Sequence, residues 1–377
     1  MELSHRQSVG VSVIERSSET VSMLQIVMIM MLAIGLNNHV IIIPLLLHAS
    51  GRDAWFAGVL SVLPMSVVAL LLQYVIQTTG QQHIGRWLKD RLPPLFVNIL
   101  LLLSTAPLYL IAVITLRDTV HWARMSFLPT TPYLALLIPL AIICFYAAYS
   151  GITSLAITSG ILLPLVVLFG FFVMTANFPH KDTSLLFPIL ANGWPPVLKG
   201  VLYAMSGLSE VFALVFIQHH VKTKIRFWML LVIVLILTEL IAGPVYGAIS
   251  EYGAPEAANL RYPPFEEWRL VTLGYLWTNL DFFAIYQWLS GTLIRISLAI
   301  YMILEMFSVH KGKRRLWLLT TLFLAAIILS MIPFNEQLLF SYFDKVLIPG
   351  QFLWWSAAML ILTFLVFLVR KKKVAPR

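Results

Sequence analysis

Apolar segments of membrane length recur along almost the whole of this sequence. Each is close to the ~20 residues that a helix needs to cross a bilayer. Hydrophobic residues make up 59% of the 377 positions and charged residues only 11%, whereas a soluble domain carries about 25% charged residues. Because lipid offers the backbone no hydrogen-bond partners, the segments are predicted to be helices. The chain is therefore predicted to be an all-α polytopic membrane protein, with a single transmembrane domain over residues 1–377.

We predict ten transmembrane helices, called spans one to ten, and two short surface helices at 81–92 and 264–277. Most of the 26 Lys and Arg residues fall in alternate loops and in the C-terminal tail, a bias that marks the cytoplasmic side. Both termini and residues 311–315 are therefore predicted to be cytoplasmic, and 178–195 to lie outside. The net charge of +9 thus reflects membrane topology rather than nucleic-acid binding. The approximate spans are 21–48, 54–78, 94–119, 132–150, 153–176, 196–219, 227–250, 278–307, 316–333 and 349–369.

The first span is interrupted near its middle, in the stretch Leu32–Pro44. Gly35 relaxes the backbone restriction, and Asn37 and Asn38 prefer local hydrogen bonds to helix extension. Freed backbone groups in a bilayer survive only inside protein or along a polar cavity. The interruption therefore indicates a central site for a polar ligand, and a kinked packing helix is the alternative.

Span six carries a second interruption, where an inverted repeat would place it. Five spans followed by five would turn the second half upside down, with repeat halves at about 21–176 and 196–369. Gly207, flanked by Ser206 and Ser209, is the predicted unwinding point. Two interrupted helices at matching positions point to a transporter-like midplane site, although close helix packing also uses Gly and Ser. The residues predicted to bind a ligand are Ile34, Gly35, Leu36, Asn37, Ser206, Gly207 and Leu208.

Ionisable side chains inside membrane spans are rare and costly, so each suggests a function. Glu210, Glu239 and Arg295 lie well inside their spans, and Asp281 lies near the beginning of span eight. Because Glu210 and Arg295 lie at comparable depth, we predict that they form an ion pair across spans six and eight. Glu239 on span seven is the rival partner. A structural salt bridge and a role in transport both stay open for these charges.

Catalytic and metal-binding motifs are absent from the sequence. There is no paired His-Glu motif on a helix, no Cys-x-x-Cys and no phosphate-cradling Gly-rich loop, and the nine histidines do not fall at ligand spacings. His39, near the first interruption, is interpreted as a hydrogen-bonded core residue rather than a ligand contact. The sequence therefore predicts no enzyme, no cofactor and no metal site.

Short motifs in a specific order and spacing resemble one known family over nearly the whole chain. The chain resembles the B subunit of the spore germinant receptor, a branch of the amino acid/polyamine/organocation superfamily. Asn37-Asn38-His39 departs from the smaller, more apolar residues expected there. The motifs are Gly35–Pro44, Asp53-Ala54-Trp55, Leu186-Phe187-Pro188-Ile189 with Gly193 and Pro196, Lys199-Gly200, Ser206–Glu210 with Phe212, Tyr262-Pro263-Pro264-Phe265-Glu266 with Arg269-Leu270, and Leu280-Asp281.

The resemblance implies a five-plus-five inverted repeat and a role in starting spore germination. It also implies a complex with an A subunit and a lipoprotein C subunit in the inner membrane of the spore. A small germinant, expected to be an amino acid, would bind between spans one, three, six and eight. One alternative is an amino acid permease coupled to protons or sodium. A second is a structural subunit whose pocket is vestigial.

Overall fold

The structure, a computed structural model, describes residues 20–272, 278–309, 312–333, 335 and 341–371. Each of the ten predicted spans contains a helix, and these are labelled α1 to α10 in chain order. α1 joins Met23–Leu36, Asn37–Ile41 and Ile42–Ser50, α2 joins Ala54–Leu60 and Val62–Thr79, and α6 joins Trp194–Leu208, Ser209–Ala213, Leu214–Ile217 and Gln218–His220. The others are α3 (Pro94–Ser126), α4 (Tyr133–Ser150), α5 (Ile152–Ala176), α7 (Phe227–Tyr252), α8 (Phe283–Met306), α9 (Lys313–Ser330) and α10 (Phe343–Leu347 and Ile348–Val369).

The predicted class, an all-α polytopic membrane protein, is confirmed. Eight helical segments of the described residues are long and apolar enough to cross a membrane, and one of them, Met23–Thr79, contains both α1 and α2. α9 begins with three basic residues and is not among the eight. The count of ten crossings and the inverted repeat stay predictions. The cytoplasmic location of the termini and of 311–315 also stays a prediction. Residues 1–19 and 372–377 and Lys311 lie outside the described residues.

Local sequence signals explain where individual helices begin and end. α1 begins with a capping box, in which the N–H of Gln25 donates to Ser22 Oγ (3.2 Å) and the N–H of Ser22 donates to Gln25 Oε1 (2.8 Å). α4 and α5 are separated by Gly151 alone. Its φ of +87° lies in the region that favours glycine. The two helices therefore form a hairpin without a longer loop.

α6 and α8 form the centre of the bundle. Within their most apolar stretches, 94% and 89% of the residues are buried, compared with 17% in α5. α8 packs against α1, α3, α4 and α5, while α6 packs against α1, α2 and α10. The outer faces of the peripheral helices carry exposed Leu, Ile, Val and Phe side chains. Polar groups on α6 and α8 are thus held away from lipid.

Both predicted interruptions coincide with departures from α-helical hydrogen bonding, but neither is an unwound segment. Asn37–Ile41 of α1 is a π-helix, and Asn37 keeps right-handed helical angles (φ −61°, ψ −47°). Ser209–Ala213 of α6 is a 3₁₀-helix. The prediction was therefore right about position and wrong about unwinding. A local change of hydrogen-bond register frees few backbone groups. Inside a bundle it therefore costs less free energy than an open loop, which would leave more of them without partners.

Short helices lie at the ends of the bundle. Ile84–Lys89 falls within the predicted 81–92 segment. Pro263–Leu270 begins one residue before the predicted 264–277 helix and ends within it, and residues 273–277 lie outside the described part of the chain. Asp281 lies in the turn before α8, which begins at Phe283. Asp281 therefore lies just outside α8, and its assignment as an intramembrane charge stays a prediction.

Candidate ligand site

The predicted ion pair between α6 and α8 is present in the structure. Arg295 donates through Nη1 to Glu210 Oε2 and through Nη2 to Glu210 Oε1, both at 2.7 Å. The two side chains are only 4% and 6% exposed. Such a two-pronged contact combines charge neutralisation with fixed geometry. Glu239, the rival partner, lies on α7 and faces a different space.

Arg295 also donates hydrogen bonds to α1 and α3. Nη1 also donates to the carbonyl oxygen of Ala33 at 2.7 Å, and Nε donates to Thr115 Oγ1 at 3.1 Å. At this point of α1 the N–H of Asn37 donates to the carbonyl of Ile34, one residue nearer than the α-helical pattern would use. In a regular α-helix the N–H of Asn37 would donate to the Ala33 carbonyl. Because it donates to Ile34 instead, the Ala33 carbonyl can accept from the Arg295 guanidinium.

Gln351 from α10 completes this midplane centre. Its Nε2 donates to Glu210 Oε1 at 2.6 Å. The space left beside the ion pair is about 20 Å³ and is lined by Ile34, Trp355 and other mainly apolar residues. A cavity of that size holds about one water molecule. The midplane centre is thus an ion-paired joint between α1, α3, α6, α8 and α10, with little free space beside it.

The predicted ligand residues of α6 pack against neighbouring helices. A Cβ added to Gly207 would lie 2.2 Å from Asn38 Oδ1 and 3.3 Å from Asn37 Nδ2, so α6 and α1 approach closely here. Ser206 Oγ donates to the carbonyl of Ile348 on α10 at 2.9 Å. All seven predicted ligand residues are buried, but they are not gathered around one space. Their role as ligand contacts stays a prediction.

A cavity of about 390 Å³ lies among α1, α5, α7, α8 and the Pro263–Leu270 helix. Gly35 and Leu36 of the predicted set line it, together with many Leu, Val, Phe and Met side chains. A volume of this order, a mainly apolar lining and a few convergent polar groups are typical of small-molecule sites. The ionisable and amide side chains of its lining are His39, Lys181, Glu239, Glu267 and Gln287.

Charged groups of both signs lie at the end of the cavity near the 178–195 loop. Lys181 Nζ lies 3.7 Å from Glu251 Oε1. Glu267 faces Gly247, where an added Cβ would lie 2.7 Å from its Oε2. Burial, and secondly the neighbouring Glu251 carboxylate, raise the pKa of Glu267 well above its usual value. Glu267 therefore favours its protonated form more than an exposed glutamate does, and Lys181 also lines the cavity.

The middle of the cavity carries an acid and an imidazole. Glu239 lies about 18 Å along α7 from its beginning at Phe227, at ~1.5 Å per residue. Its Oε1 would lie 3.3 Å from a Cβ added to Gly243. His39 lines the cavity from the π-helical part of α1, and its Nδ1 has no hydrogen-bond partner among the residues described. The cavity is therefore lined by an acid and an imidazole here and by a lysine at the end near the 178–195 loop.

Aromatic and amide contacts hold the Pro263–Leu270 helix over the cavity. Trp268 on this helix donates through Nε1 to Gln287 Oε1 of α8 at 2.8 Å. At the next position of α8, Trp288 stacks on Trp122 of α3 with ring centroids 4.0 Å apart and planes at 8°. This wall is pre-formed, which reduces the entropy lost when a ligand binds.

Sequence reasoning missed Lys181, Glu267 and Gln287, and it treated His39 as a core residue. Lys181 and Glu267 belong to segments outside the predicted spans, where charged side chains are ordinary. Gln287 did carry a signal, because an amide in an apolar membrane helix is costly unless it has a partner. Only the packing of α5, α7 and α8 brings these residues to one cavity.

Comparison with known proteins places the chain in a family. A family model described as "Spore germination protein" matches residues 20–338. "Spore germination protein XB" from Bacillus anthracis is 39% identical over 368 residues, which cover 94% of this chain and 100% of that protein. Both matches agree with the resemblance inferred from the sequence motifs. The chain belongs to the spore germination protein family, of the germinant receptor B type.

Proposed function

We propose that this chain is the membrane subunit of a spore germinant receptor that binds a small zwitterionic germinant, an amino acid, in the 390 Å³ cavity. The observation that carries the proposal is the cavity itself, which combines a mainly apolar wall with Lys181 and Glu239. Lys181 suits a carboxylate, Glu239 suits an ammonium group, and the apolar wall suits a side chain. Gly35 and Leu36 contribute to this site, whereas Gly207 supports it through helix packing.

The midplane ion pair favours a receptor over a permease. A solute crossing between α1, α6 and α8 would have to separate Arg295 from Glu210, Ala33 and Thr115. Breaking a buried pair typically costs about 3–5 kcal/mol when a lone charge remains. Ligand binding on one side of an intact joint can instead shift the bundle between two states. Under this proposal the A subunit and the lipoprotein C subunit detect that shift in the inner spore membrane.

Filling the cavity tests the proposal. Gly35→Leu and Gly170→Leu project side chains into it from α1 and α5, because both glycines belong to its lining. We expect spores carrying either variant to lose the fall in optical density that a mixture of the twenty amino acids triggers. Gly160→Leu on α5 is the matched control, because its Cβ would meet only Met28 Sδ at 3.8 Å. Immunoblots of spore membranes establish that all three variants accumulate, and a normal response of both cavity variants would refute the site.

Measuring amino acid uptake into vesicles distinguishes a receptor from the permease alternative. Vesicles containing the chain alone, and vesicles without it, are given radiolabelled amino acids under an inward proton or sodium gradient. The receptor proposal expects equal uptake by both. Concentrative uptake that requires the chain would favour the amino acid permease, and absence of any amino acid binding to the purified chain would favour the structural subunit.

A further inference from the structure

The end of the bundle opposite the cavity contains a cluster of nitrogen and oxygen donors. His83 directly precedes the Ile84–Lys89 helix, His219 and His220 end α6, and Glu305 lies in the last turn of α8. One ligand atom from each of His83, His219 and Glu305 lies within 4.8 Å of the others. These residues are far apart in the sequence, so no motif spacing could indicate the cluster.

The contacts inside the cluster converge on Glu305. His219 Nε2 lies 2.9 Å from Glu305 Oε1, and His220 Nε2 lies 3.5 Å from the same oxygen. The Nε2 of His83 hydrogen bonds to the backbone carbonyl of Glu305 at 2.8 Å. The rings of His83 and His219 have centroids 4.8 Å apart. Three chain segments thus bring two imidazoles and a carboxylate close together. The Nδ1 of His83 also accepts the backbone N–H of Arg86 at 3.3 Å, so this ring has to release one of its two backbone contacts to bind an ion.

We propose that His83, His219 and Glu305 bind a divalent transition-metal ion of the Zn²⁺ type. Imidazole nitrogen and carboxylate oxygen are the donors that such ions take, at about 2.0–2.2 Å and in tetrahedral geometry. Ligand atoms around a tetrahedral Zn²⁺ therefore lie ~3.3 Å apart. The 2.9 Å between His219 and Glu305 is a few tenths of an ångström short of that spacing, and the other ligand atoms, which lie within 4.8 Å of one another, close to it when an ion binds.

Burial and access both suit an ion at this position. The Glu305 side chain is 1% exposed, and an ion bound beside the two imidazoles would further offset the cost of burying an ionised carboxylate. His219 keeps 18% of its side chain exposed, which leaves an entry path. An ion here would join the ends of α6 and α8 to the Ile84–Lys89 helix. It would also lie next to the backbone bridge in which the N–H of Val21 donates to the His220 carbonyl at 2.8 Å.

Metal titration of the full-length chain tests this site independently of any germinant. The purified protein in detergent is stripped with a chelator and titrated with Co²⁺, whose d–d absorption reports tetrahedral ligands, and bound Zn²⁺ is measured by elemental analysis after dialysis. We expect one equivalent of either ion and a Zn²⁺-dependent rise in melting temperature. Wild-type protein that retains clearly less than one equivalent would overturn the proposal without reference to any variant.

Variants identify the ligands. His83→Gln, His219→Gln and Glu305→Gln should each weaken Co²⁺ binding by at least about tenfold. His180→Gln, the same change at an exposed histidine outside the cluster, should bind as the wild type does. Size-exclusion profiles select variants that remain folded. Full-strength binding by folded His219→Gln and Glu305→Gln proteins would show that the ion lies elsewhere and refute the site.

Discussion

The midplane joint around Arg295 and the cavity beneath the Pro263–Leu270 helix share α1 and α8. They differ in how closely their charged side chains are paired and in how much free space lies beside them. At the joint, the Glu210 carboxylate accepts hydrogen bonds from Arg295 and Gln351, and the free space beside it is about 20 Å³. In the cavity, Lys181 and Glu239 line about 390 Å³ of mainly apolar space. The ion pair at the joint holds the helices together, whereas Glu239 and Lys181 border space that a ligand can enter, although Lys181 Nζ also lies 3.7 Å from Glu251 Oε1.

The largest effect is expected at the joint. Arg295→Gln and Glu210→Gln should each destabilise the protein by about 3–5 kcal/mol, because each leaves one buried charge without its partner. The double variant should recover much of this loss, since neither charge remains. Folded protein in membranes and melting temperature in detergent measure the effect. A double variant as unstable as the two single losses added together would mean that the residues are not coupled.

A smaller loss is expected where α6 meets α1. Gly207→Leu would place side-chain atoms against Asn38 Oδ1, 2.2 Å from the ideal Cβ. Overpacking of this kind typically costs about 1–3 kcal/mol. We expect less folded protein, measured by fluorescence-detected size exclusion, whereas Gly35→Leu should cost less, because its ideal Cβ lies 3.0 Å from the Cδ1 end of the flexible Leu240 side chain. If Gly207→Leu folds normally but abolishes germination, Gly207 belongs to the ligand site after all.

Within the cavity, Lys181→Gln should weaken the response to an amino acid germinant while the protein still folds, because a glutamine can still donate towards Glu251, 3.7 Å from Lys181 Nζ. Loss of one charge-assisted contact costs about 1.5–3 kcal/mol, so the germinant concentration for half-maximal response should rise at least about tenfold. Lys199→Gln, on α6 and outside the cavity lining, is the control. Equal dose–response curves for the wild type and Lys181→Gln would exclude Lys181 from germinant binding.

The smallest effect is a change in pH dependence at Glu267. Its pKa is raised in the folded protein, chiefly by burial, so the folded state holds a proton that the unfolded state releases above about pH 4.3. Stability contributed by this group is complete below that pH and is lost as the pH rises towards the folded pKa. Glu267→Gln should therefore flatten the decline of melting temperature above pH 5. An unchanged slope would show that Glu267 does not titrate as described.

The sequence by itself determined the membrane class and the positions of the ten helices, and it placed Glu210 and Arg295 at comparable depth. These depend on local hydropathy and on depth along a helix, which a 1.5 Å rise per residue translates directly into position. The π-helical and 3₁₀ segments were located by Gly35, Asn37 and Gly207, but their form was not. A helix can stay wound where it loses an internal hydrogen bond if a neighbouring side chain binds the freed backbone group. Here Arg295 from α8 binds the Ala33 carbonyl.

Tertiary structure alone decided the cavity and the histidine cluster. His39, Lys181, Glu239 and Glu267 belong to four separate segments, and packing of α1, α5, α7 and α8 brings them around one space. The same holds for His83, His219 and Glu305 at the other end of the bundle. Contacts between residues so distant in sequence depend on helix rotation and tilt, which packing against neighbouring helices sets and which no local pattern in the chain encodes.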